Sequence, residues 1–366
     1  MPRRKIFIDA TGIVNTPTGL GKYSFYLLKA LLKIKEYNFT VLVQNSLSRE
    51  HPLFSLEKEN VYFNTIKAPV IGPWRDLILF YIRNLINQHD LYHCLSSYFP
   101  AFGIRTSSIV TIHDLKYLFF PEFFRSGFKA VYYKWIITRG IHKATGIIAV
   151  SEATKKDIVL FGGSPDKIRV IYEAPTISNS TNQDLPPGLK GKRYFLFVGE
   201  NRPHKNVKRL IEAFIRVSKQ LGDSVPYLVL VGPKYAVFKS ETRCDKIIFF
   251  GTASENTLCA LYKNALALVY PSLYEGFGLP LLEAMSLQVP VITSNISSMP
   301  EVAGEAALYV DPRDVEQMAS ALLLMIKDEK KRKELIKKGT HRVRDFSWKR
   351  AADQVCGFYE QIISRA

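Results

Sequence analysis

Cysteine is scarce. Cys94, Cys244, Cys259 and Cys356 are the only four, widely separated, with no C-x-x-C pair and no histidine at metal-ligand spacing. A disulfide scaffold and a zinc site of that kind are excluded, and the thiols read as reduced core or surface groups. No apolar run reaches about 18 residues before a charge or proline interrupts it, so no membrane-spanning helix is expected. The N-terminal MPRRKIFIDA runs from basic residues straight into a polar turn without a signal-peptide core, and a cytoplasmic location is expected. D-x-D is missing throughout, which removes the usual carboxylate pair for a divalent metal on a pyrophosphate, so neither metal nor cofactor is expected. Acid is also in short supply, with 33 carboxylates against 50 basic side chains and a net charge of +17. Residues 1–180 carry a surplus of 10 positive charges and the remainder a surplus of 7. Nucleic acid, anionic lipid and a nucleotide diphosphate all suit such a chain, and charge alone does not separate them.

What is present is a repeated alternation. Lys5–Asp9, Phe39–Gln44, Val61–Ile66, Leu91–Cys94, Ser108–His113 and Ile147–Val150 are short β-rich runs separated by helical or loop material. That order predicts parallel sheets with helices on both faces and ligands outside the carboxyl ends of the strands. Gly19 and Gly21 lie in a turn-rich segment after the first strand, but Ser24 leaves G-x-G-x-x-G incomplete and the dinucleotide fingerprint weak. Ser151 reads as a helix N-cap. Residues 173–190 carry three prolines and many small polar residues without apolar periodicity, as a linker would. Tyr194–Val198, Tyr227–Val231, Lys246–Phe250, Ala265–Tyr270 and Val289–Ser294 resume the pattern, and helical spacing closes the chain at 314–338 and 347–364. Arg202 and Lys205 follow the strand and glycine at 194–199 and precede a helix, where two cations suit a pyrophosphate or stand as solvated charge.

The most informative stretch is YPSLYEGFGLPLLE, Tyr270–Glu283. It reads strand, Gly-Phe-Gly turn, helix, with Pro280 near the first helical position. A helix N-terminus favours an anion, and Gly276 and Gly278 permit close backbone approach. Glu283 would sit in about the first turn, suited to a vicinal diol such as a ribose, and Glu275 could reach sugar hydroxyls from the loop. The plainer account makes Glu283 a complement to the helix dipole and Glu275 a solvated turn residue.

YEGFGLPLLEAM, followed by VPVITSNISSMPEVAGEAALYVDP, resembles the signature of retaining GT-B glycosyltransferases of family 4 type, with its E-x7-E motif at Glu275 and Glu283, and the likeness extends over most of the chain. It implies an α/β protein of GT-B architecture, with two Rossmann-like doubly wound domains facing a cleft. The expected boundaries are an acceptor-side domain at 1–175, a linker at 176–192, a donor domain at 193–345, and a helix at 346–366 crossing back to the first domain. By resemblance Glu275 and His113 become catalytic-site residues, with Glu275 and the backbone of Gly276, Phe277 and Gly278 on the donor sugar. Glu283 takes the nucleotide ribose, Lys205 and Arg202 with Gly19 and Gly21 the donor phosphates, and Thr252 and Ala253 the nucleobase. Many members place an arginine where this chain has Glu200, so Arg202 is the less secure of the two cations.

The expected reaction is retaining, metal-independent transfer of a hexose from a nucleotide-diphosphate sugar to a glycan or lipid-linked acceptor. The nearest similarity is to mannosyltransferase-like enzymes of surface-polysaccharide assembly, which suggests GDP-mannose. A non-catalytic sugar-nucleotide-binding protein recruited to a membrane is the alternative, and no nucleic-acid partner is expected because the clearest signals lie in strand-end loops. Residues 115–143 hold nine aromatics and six basic residues against the single acid Glu122. That composition suits an anionic membrane surface, peripheral to the inner face of the cell membrane, or a helix packed on a sheet.

Overall fold

The computed structural model describes residues 3–15, 18–100, 102–120, 127–177, 185–233 and 244–365. It divides into two compact units, one made of Met1–Glu173 with Ser347–Ala366 and the other of Ala174–Phe346.

The first unit holds seven parallel strands, β1 (Arg4–Asp9), β2 (Tyr37–Gln44), β3 (Val61–Ile66), β4 (Leu91–Cys94), β5 (Ser107–Ile112), β6 (Gly146–Ala149) and β7 (Ile168–Val170). Their order is β3-β2-β1-β4-β5-β6-β7. β4 and β6 are buried at every residue, because a parallel sheet covered on both faces leaves no solvent side. The order reverses between β1 and β4, the switch point of a doubly wound sheet.

Under that switch point lies a buried ion pair. Asp9, the last residue of β1, accepts from Arg75 at 2.6 Å and from the Tyr92 hydroxyl at 2.9 Å, while its other oxygen takes the Thr11 hydroxyl at 2.6 Å. Arg75 also donates to the Tyr98 carbonyl at 2.7 Å. The end of β1, the loop after β4 and the helix Pro73–Tyr81 are thereby tied together.

Among its described residues the second unit holds six parallel strands, β8 (Tyr194–Val198), β9 (Tyr227–Val231), β10 (Ile247–Gly251), β11 (Ala267–Tyr270), β12 (Val291–Ser294) and β13 (Ala307–Val310). Their order, β10-β9-β8-β11-β12-β13, is again doubly wound, with its switch point between β8 and β11.

The alternation in the sequence is borne out as two parallel sheets, with differences in detail. β7 and β13, of three and four residues, were not anticipated as strands; both sit at sheet edges and are too short for periodicity to mark. The helix Gly19–Leu31 starts earlier than its apolar pattern, because Thr18 caps it by accepting from the Gly21 N–H at 3.0 Å. Gly19 and Gly21 are therefore in the first turn of the helix and not in a loop ahead of it. The pattern at 314–338 is split by Asp328, which ends Val315–Lys327 and caps Glu329–Arg342. Ser151 caps Glu152–Leu160 as expected. Of the proposed linker, Thr176 and Ile177 are buried, and residues 178–184 lie outside the described residues. So do Pro121, Glu122, Phe123, Phe124 and Arg125 of the aromatic segment.

The C-terminal helix Trp348–Ile363 packs on the first unit through Ala351, Ala352, Val355, Phe358, Tyr359 and Ile362. Gly146 opens β6 with no side chain, and a Cβ there would stand 2.7 Å from the Phe358 ring. Polar contacts tie the helix to the sheet as well, and Tyr37 on β2 donates to Glu360 at 2.8 Å. His93 on β4, fully buried, shares one hydrogen bond with the Tyr359 hydroxyl at 2.6 Å and another with the Thr111 hydroxyl at 3.0 Å.

Burial, helped by the charge of His113, holds the His93 pKa down to about 3 from 6.5. Below pH 6.5 the unfolded chain binds this proton more readily than the native one. Native stability should therefore fall as pH drops from 6.5 towards 3, by about 1.4 kcal/mol per pH unit from this residue. Urea midpoints measured across that window should fall more steeply for the parent than for His93→Gln. Equal slopes would remove His93 from the acid sensitivity.

Candidate functional site

At the switch point of the second sheet the loops after β8 and β11 diverge, and the groups that converge there come from these two loops. After β8 the chain passes Gly199, whose N–H donates to the Val231 carbonyl at 2.9 Å. Gly232, after β9, lies against it with φ +145°, and a Cβ on Gly232 would fall 1.8 Å from the Gly199 oxygen. Only glycine fits at 232, in conformation and in space.

The chain then makes a short 3-10 turn, Pro203–Lys205, and enters the helix Val207–Leu221 through Asn206 in the left-handed region. The Asn206 side chain does not cap that helix. Its amide donates instead to the carbonyls of Pro271 at 3.0 Å and Pro312 at 2.6 Å, and its oxygen accepts from Arg209. On the other side of Lys205, the His204 carbonyl accepts from the Leu273 N–H at 2.7 Å. Lys205 is thus held between two residues stapled to the loop after β11, which fixes where its side chain leaves the backbone.

The Lys205 ammonium lies 2.6 Å from a Glu275 carboxylate oxygen, with the two side chains 16% and 14% exposed. It also donates to the Tyr270 hydroxyl and sits 4.9 Å from the centre of that ring. Tyr270 ends β11, stacks on Phe197 and is buried. Burial and then the neighbouring Glu275 charge push its phenol well above its ordinary pKa, so it stays neutral.

The turn carrying Glu275 is bolted from behind. Ser297 accepts from the Glu275 N–H at 3.0 Å and donates to the Glu275 carbonyl at 2.7 Å. Ser298 donates to the carbonyls of Glu275 and Phe277 at 3.0 and 2.7 Å. Gly278 follows at φ +110°, against the Met299 side chain, and opens the helix Leu279–Ser286 with Pro280 as its second residue.

Glu283 is the fifth residue of that helix, just past its first turn. It is buried, and its two oxygens accept from the Thr176 hydroxyl at 2.6 Å and the Tyr262 hydroxyl at 3.0 Å. A diol at this carboxylate would share it with these hydroxyls or replace them. Arg202 is paired with Glu200 at 2.9 Å, both about one-third exposed, so the acid in the place of the family's arginine binds the cation expected to compensate for it. Thr252 and Ala253 follow the left-handed Gly251 at the end of β10, before Ser254 caps the helix Glu255–Lys263.

Gly19, Gly21 and His113 belong to the first unit. The Gly21 N–H is taken by Thr18, and Gly19 has open space where a side chain would stand. His113 follows β5; its Nε2 donates to the Leu95 carbonyl at 2.9 Å and its Nδ1 faces the buried Glu173 at 3.5 Å. The Tyr23 ring meets it edge-on at 4.5 Å.

The structure therefore brings Lys205 and Glu275 into contact, gives Glu283 and Arg202 separate partners, and places Thr252 and Ala253 in the loop after β10. Sequence reasoning missed Tyr270, Asn206, Ser297, Ser298, Thr176 and Tyr262, which orient the nominated groups. Asn206 carried a misleading signal, since asparagine before a helix reads as an N-cap. Among the described residues no group of three or more His, Cys, Asp or Glu side chains is placed to hold a metal ion.

Residues 17–174 match the family model described as Glycosyltransferase Family 4, and residues 181–342 match that for Glycosyl transferases group 1. O-antigen chain mannosyltransferase B of Escherichia coli is 28% identical, covering 96% of this chain and 99% of its own. O-antigen chain mannosyltransferase RfbU of Salmonella typhimurium is 29% identical, over 87% and 90%. Among solved structures, HepE of Anabaena in complex with UDP and glucose has a TM-score of 0.74 at 15% identity, covering 98% of this chain and all of its own. WaaG, a glycosyltransferase involved in lipopolysaccharide biosynthesis, has a TM-score of 0.73 at 16% identity, over 97% and 99%.

The contact between Gly232 and Gly199 yields a stability test. Gly232→Ala should lose about 3 kcal/mol or more, as strain and overlap combine, whereas Gly19→Ala should melt as the parent does. Scanning calorimetry of both variants checks this, and an unshifted transition in Gly232→Ala would contradict the packing of these two strand ends.

Proposed function

We propose a specific reaction for a chain that belongs to the GT-B glycosyltransferases of family 4 type: transfer of a hexose, with its anomeric configuration retained and without a metal, from a nucleotide-diphosphate sugar to a hydroxyl of a glycan or lipid-linked acceptor in surface-polysaccharide assembly. The observation that carries it is the Lys205–Glu275 pair at the switch point of the second sheet, where doubly wound folds bind their ligands. The donor is GDP-mannose, supported by the two O-antigen mannosyltransferases that match nearly the whole chain.

When the donor enters, its pyrophosphate takes the Lys205 ammonium from Glu275 and its sugar takes the carboxylate so released. Lys205 passes to the diphosphate, and hydrogen bonds from the sugar hydroxyls replace the ion pair at the Glu275 carboxylate. Lys205 then neutralises the charge that grows on the leaving phosphate, with Arg202 assisting once it parts from Glu200. Glu283 holds the ribose in place of Thr176 or Tyr262, and the backbone at Thr252 and Ala253 reads the base. His113, Gly19 and Gly21 are proposed sugar and phosphate contacts by resemblance; with Nε2 given to Leu95, His113 has only Nδ1 to offer, shared with Glu173.

Retention by double displacement needs a carboxylate nucleophile on the far face of the sugar. Glu275 is already engaged by Lys205 and bolted through its backbone, which suits binding better than attack. The acceptor hydroxyl therefore attacks the anomeric carbon on the face that the phosphate leaves. The bond to the phosphate oxygen breaks, the new glycosidic bond forms, and a phosphate oxygen takes the hydroxyl proton. The acceptor is held to be lipid-linked and the enzyme to work at the inner face of the cell membrane.

Calorimetric titration with GDP, UDP and ADP in metal-free buffer tests the donor site. GDP should bind, and Lys205→Ala and Glu283→Ala should each weaken it. Binding of UDP in place of GDP would reject the donor assignment, and indifference to both substitutions would reject the site. Glu275→Gln should keep nucleotide affinity, since Lys205 loses a competitor, while turnover falls about 100-fold or more. Parental turnover in that variant would remove Glu275 from the chemistry.

A further inference from the structure

Two helices of the first unit turn their apolar stripes outward. In Pro73–Tyr81 the buried residues are Arg75, Asp76 and Leu79, while Trp74, Leu77 and Tyr81, spaced i, i+3, i+7, are 71%, 56% and 85% exposed. The helix Gly127–Lys143 buries Tyr133, Ile136 and Ile137 and repeats the spacing outside, with Phe128, Val131 and Trp135 at 70%, 69% and 43%. An amphipathic surface helix ordinarily does the reverse.

The stripes belong to one surface. Tyr132 on the second helix hydrogen-bonds Asp76 on the first. Phe102 lies between them, its ring 6.0 Å from that of Trp135 and 5.3 Å from the Arg139 guanidinium. Arg83 stacks on Phe80 at 4.1 Å and packs where Gly103 has no side chain.

The flanking charge has one sign. Lys129 and Lys134 are exposed beside the second stripe, and Arg83 and Arg139 lie over the aromatic rings between the helices. Asp76 is the only carboxylate on either helix, and it is buried and bonded. A contiguous apolar surface of this kind marks a contact site. Cores of protein interfaces are depleted in lysine, whereas here lysines interleave with the stripe, as on helices that lie in a lipid headgroup layer. Tryptophan and tyrosine prefer that depth, and the cations suit anionic headgroups. No helix among the described residues is long and apolar enough to cross a membrane, so contact of this kind is made at the surface.

We propose that this face docks the first unit on an anionic lipid bilayer, with Trp74, Leu77, Tyr81, Phe128, Val131 and Trp135 entering the boundary between headgroups and acyl chains. The inference deepens the reading of a lipid-linked acceptor and rests on it for its purpose, but its test needs neither donor nor acceptor.

The full chain is sedimented with vesicles of phosphatidylcholine alone and of phosphatidylcholine with phosphatidylglycerol. It should pellet with the anionic vesicles, and the Trp74→Ala/Phe128→Ala double variant should bind them about tenfold or more weakly. Both side chains are exposed, so the variant should melt as the parent does and bind GDP equally well. In Trp348→Phe, which leaves Trp74 and Trp135 as the only tryptophans, emission should shift to the blue on adding anionic vesicles. A parent that stays in the supernatant, or a double variant that pellets like the parent, overturns the proposal. Self-association in sedimentation velocity that the double variant abolishes would also overturn it, by assigning the face to a second copy. Vesicle binding without GDP binding would keep this surface and reject the donor site, and the converse would do the opposite.

Discussion

One ion pair organises the strand-end loops of the second unit. The Lys205 ammonium and the Glu275 carboxylate meet at 2.6 Å, each mostly withdrawn from water. Neither charge would be stable there alone, because removing one partner of a shielded pair leaves the other without solvent or counterion. Their meeting requires two backbone segments, far apart in sequence, to be held within a side chain's length. The doubly wound order brings the ends of β8 and β11 side by side, and the rest of the machinery holds the loops still. Asn206 and the His204 carbonyl tie the first loop to the second, and Ser297 and Ser298 tie the second to the segment after β12.

The charged groups of these loops have partners before any ligand arrives. Lys205 is matched by Glu275, Arg202 by Glu200, and Glu283 by two hydroxyl groups. On the proposed function, binding an anionic donor would be an exchange of partners. In the proposed reading the sugar and phosphate contacts share one cation, and a phosphate at Lys205 would compete with Glu275 for it. Such competition would favour a ligand carrying both groups over either fragment, and its geometry lies within a single unit.

The parallel sheets were legible because strands buried on both faces are near-continuous apolar runs, and eleven of the thirteen strands among the described residues were anticipated. β7 and β13 escaped because edge strands of three or four residues carry too few positions to set a pattern. Glu275, Glu283 and Lys205 were legible through their motif and loop positions, whereas the groups that aim them were not. Asn206 reads as a helix cap, Tyr270 as the apolar end of a strand, and Ser297 and Ser298 as ordinary loop polarity. Each acts on a residue far away in the chain, and spacing along a sequence reports only neighbours. The burial of Glu283 was not legible for a related reason. Its helix begins at Leu279, after a left-handed glycine, which carries the fifth residue inward to Thr176 and Tyr262.

The helix Pro73–Tyr81 shows the same limit from the other side. Periodicity assumes that apolar residues face the core, and on that assumption Trp74, Leu77 and Tyr81 would turn inward and Arg75 outward. The structure reverses this because Asp9, at the buried end of β1, needs a cation that nothing local supplies. Arg75 meets that need and at the same time satisfies the Tyr98 carbonyl in the loop after β4. Once that guanidinium is drawn under the sheet, helical geometry places positions 74, 77 and 81 on the opposite face. The outward apolar stripe is thus a consequence of a buried charge. Replacing its aromatics would leave Asp9 and Arg75 untouched, so the polar anchor beneath the helix and the apolar surface above it are free to serve separate ends.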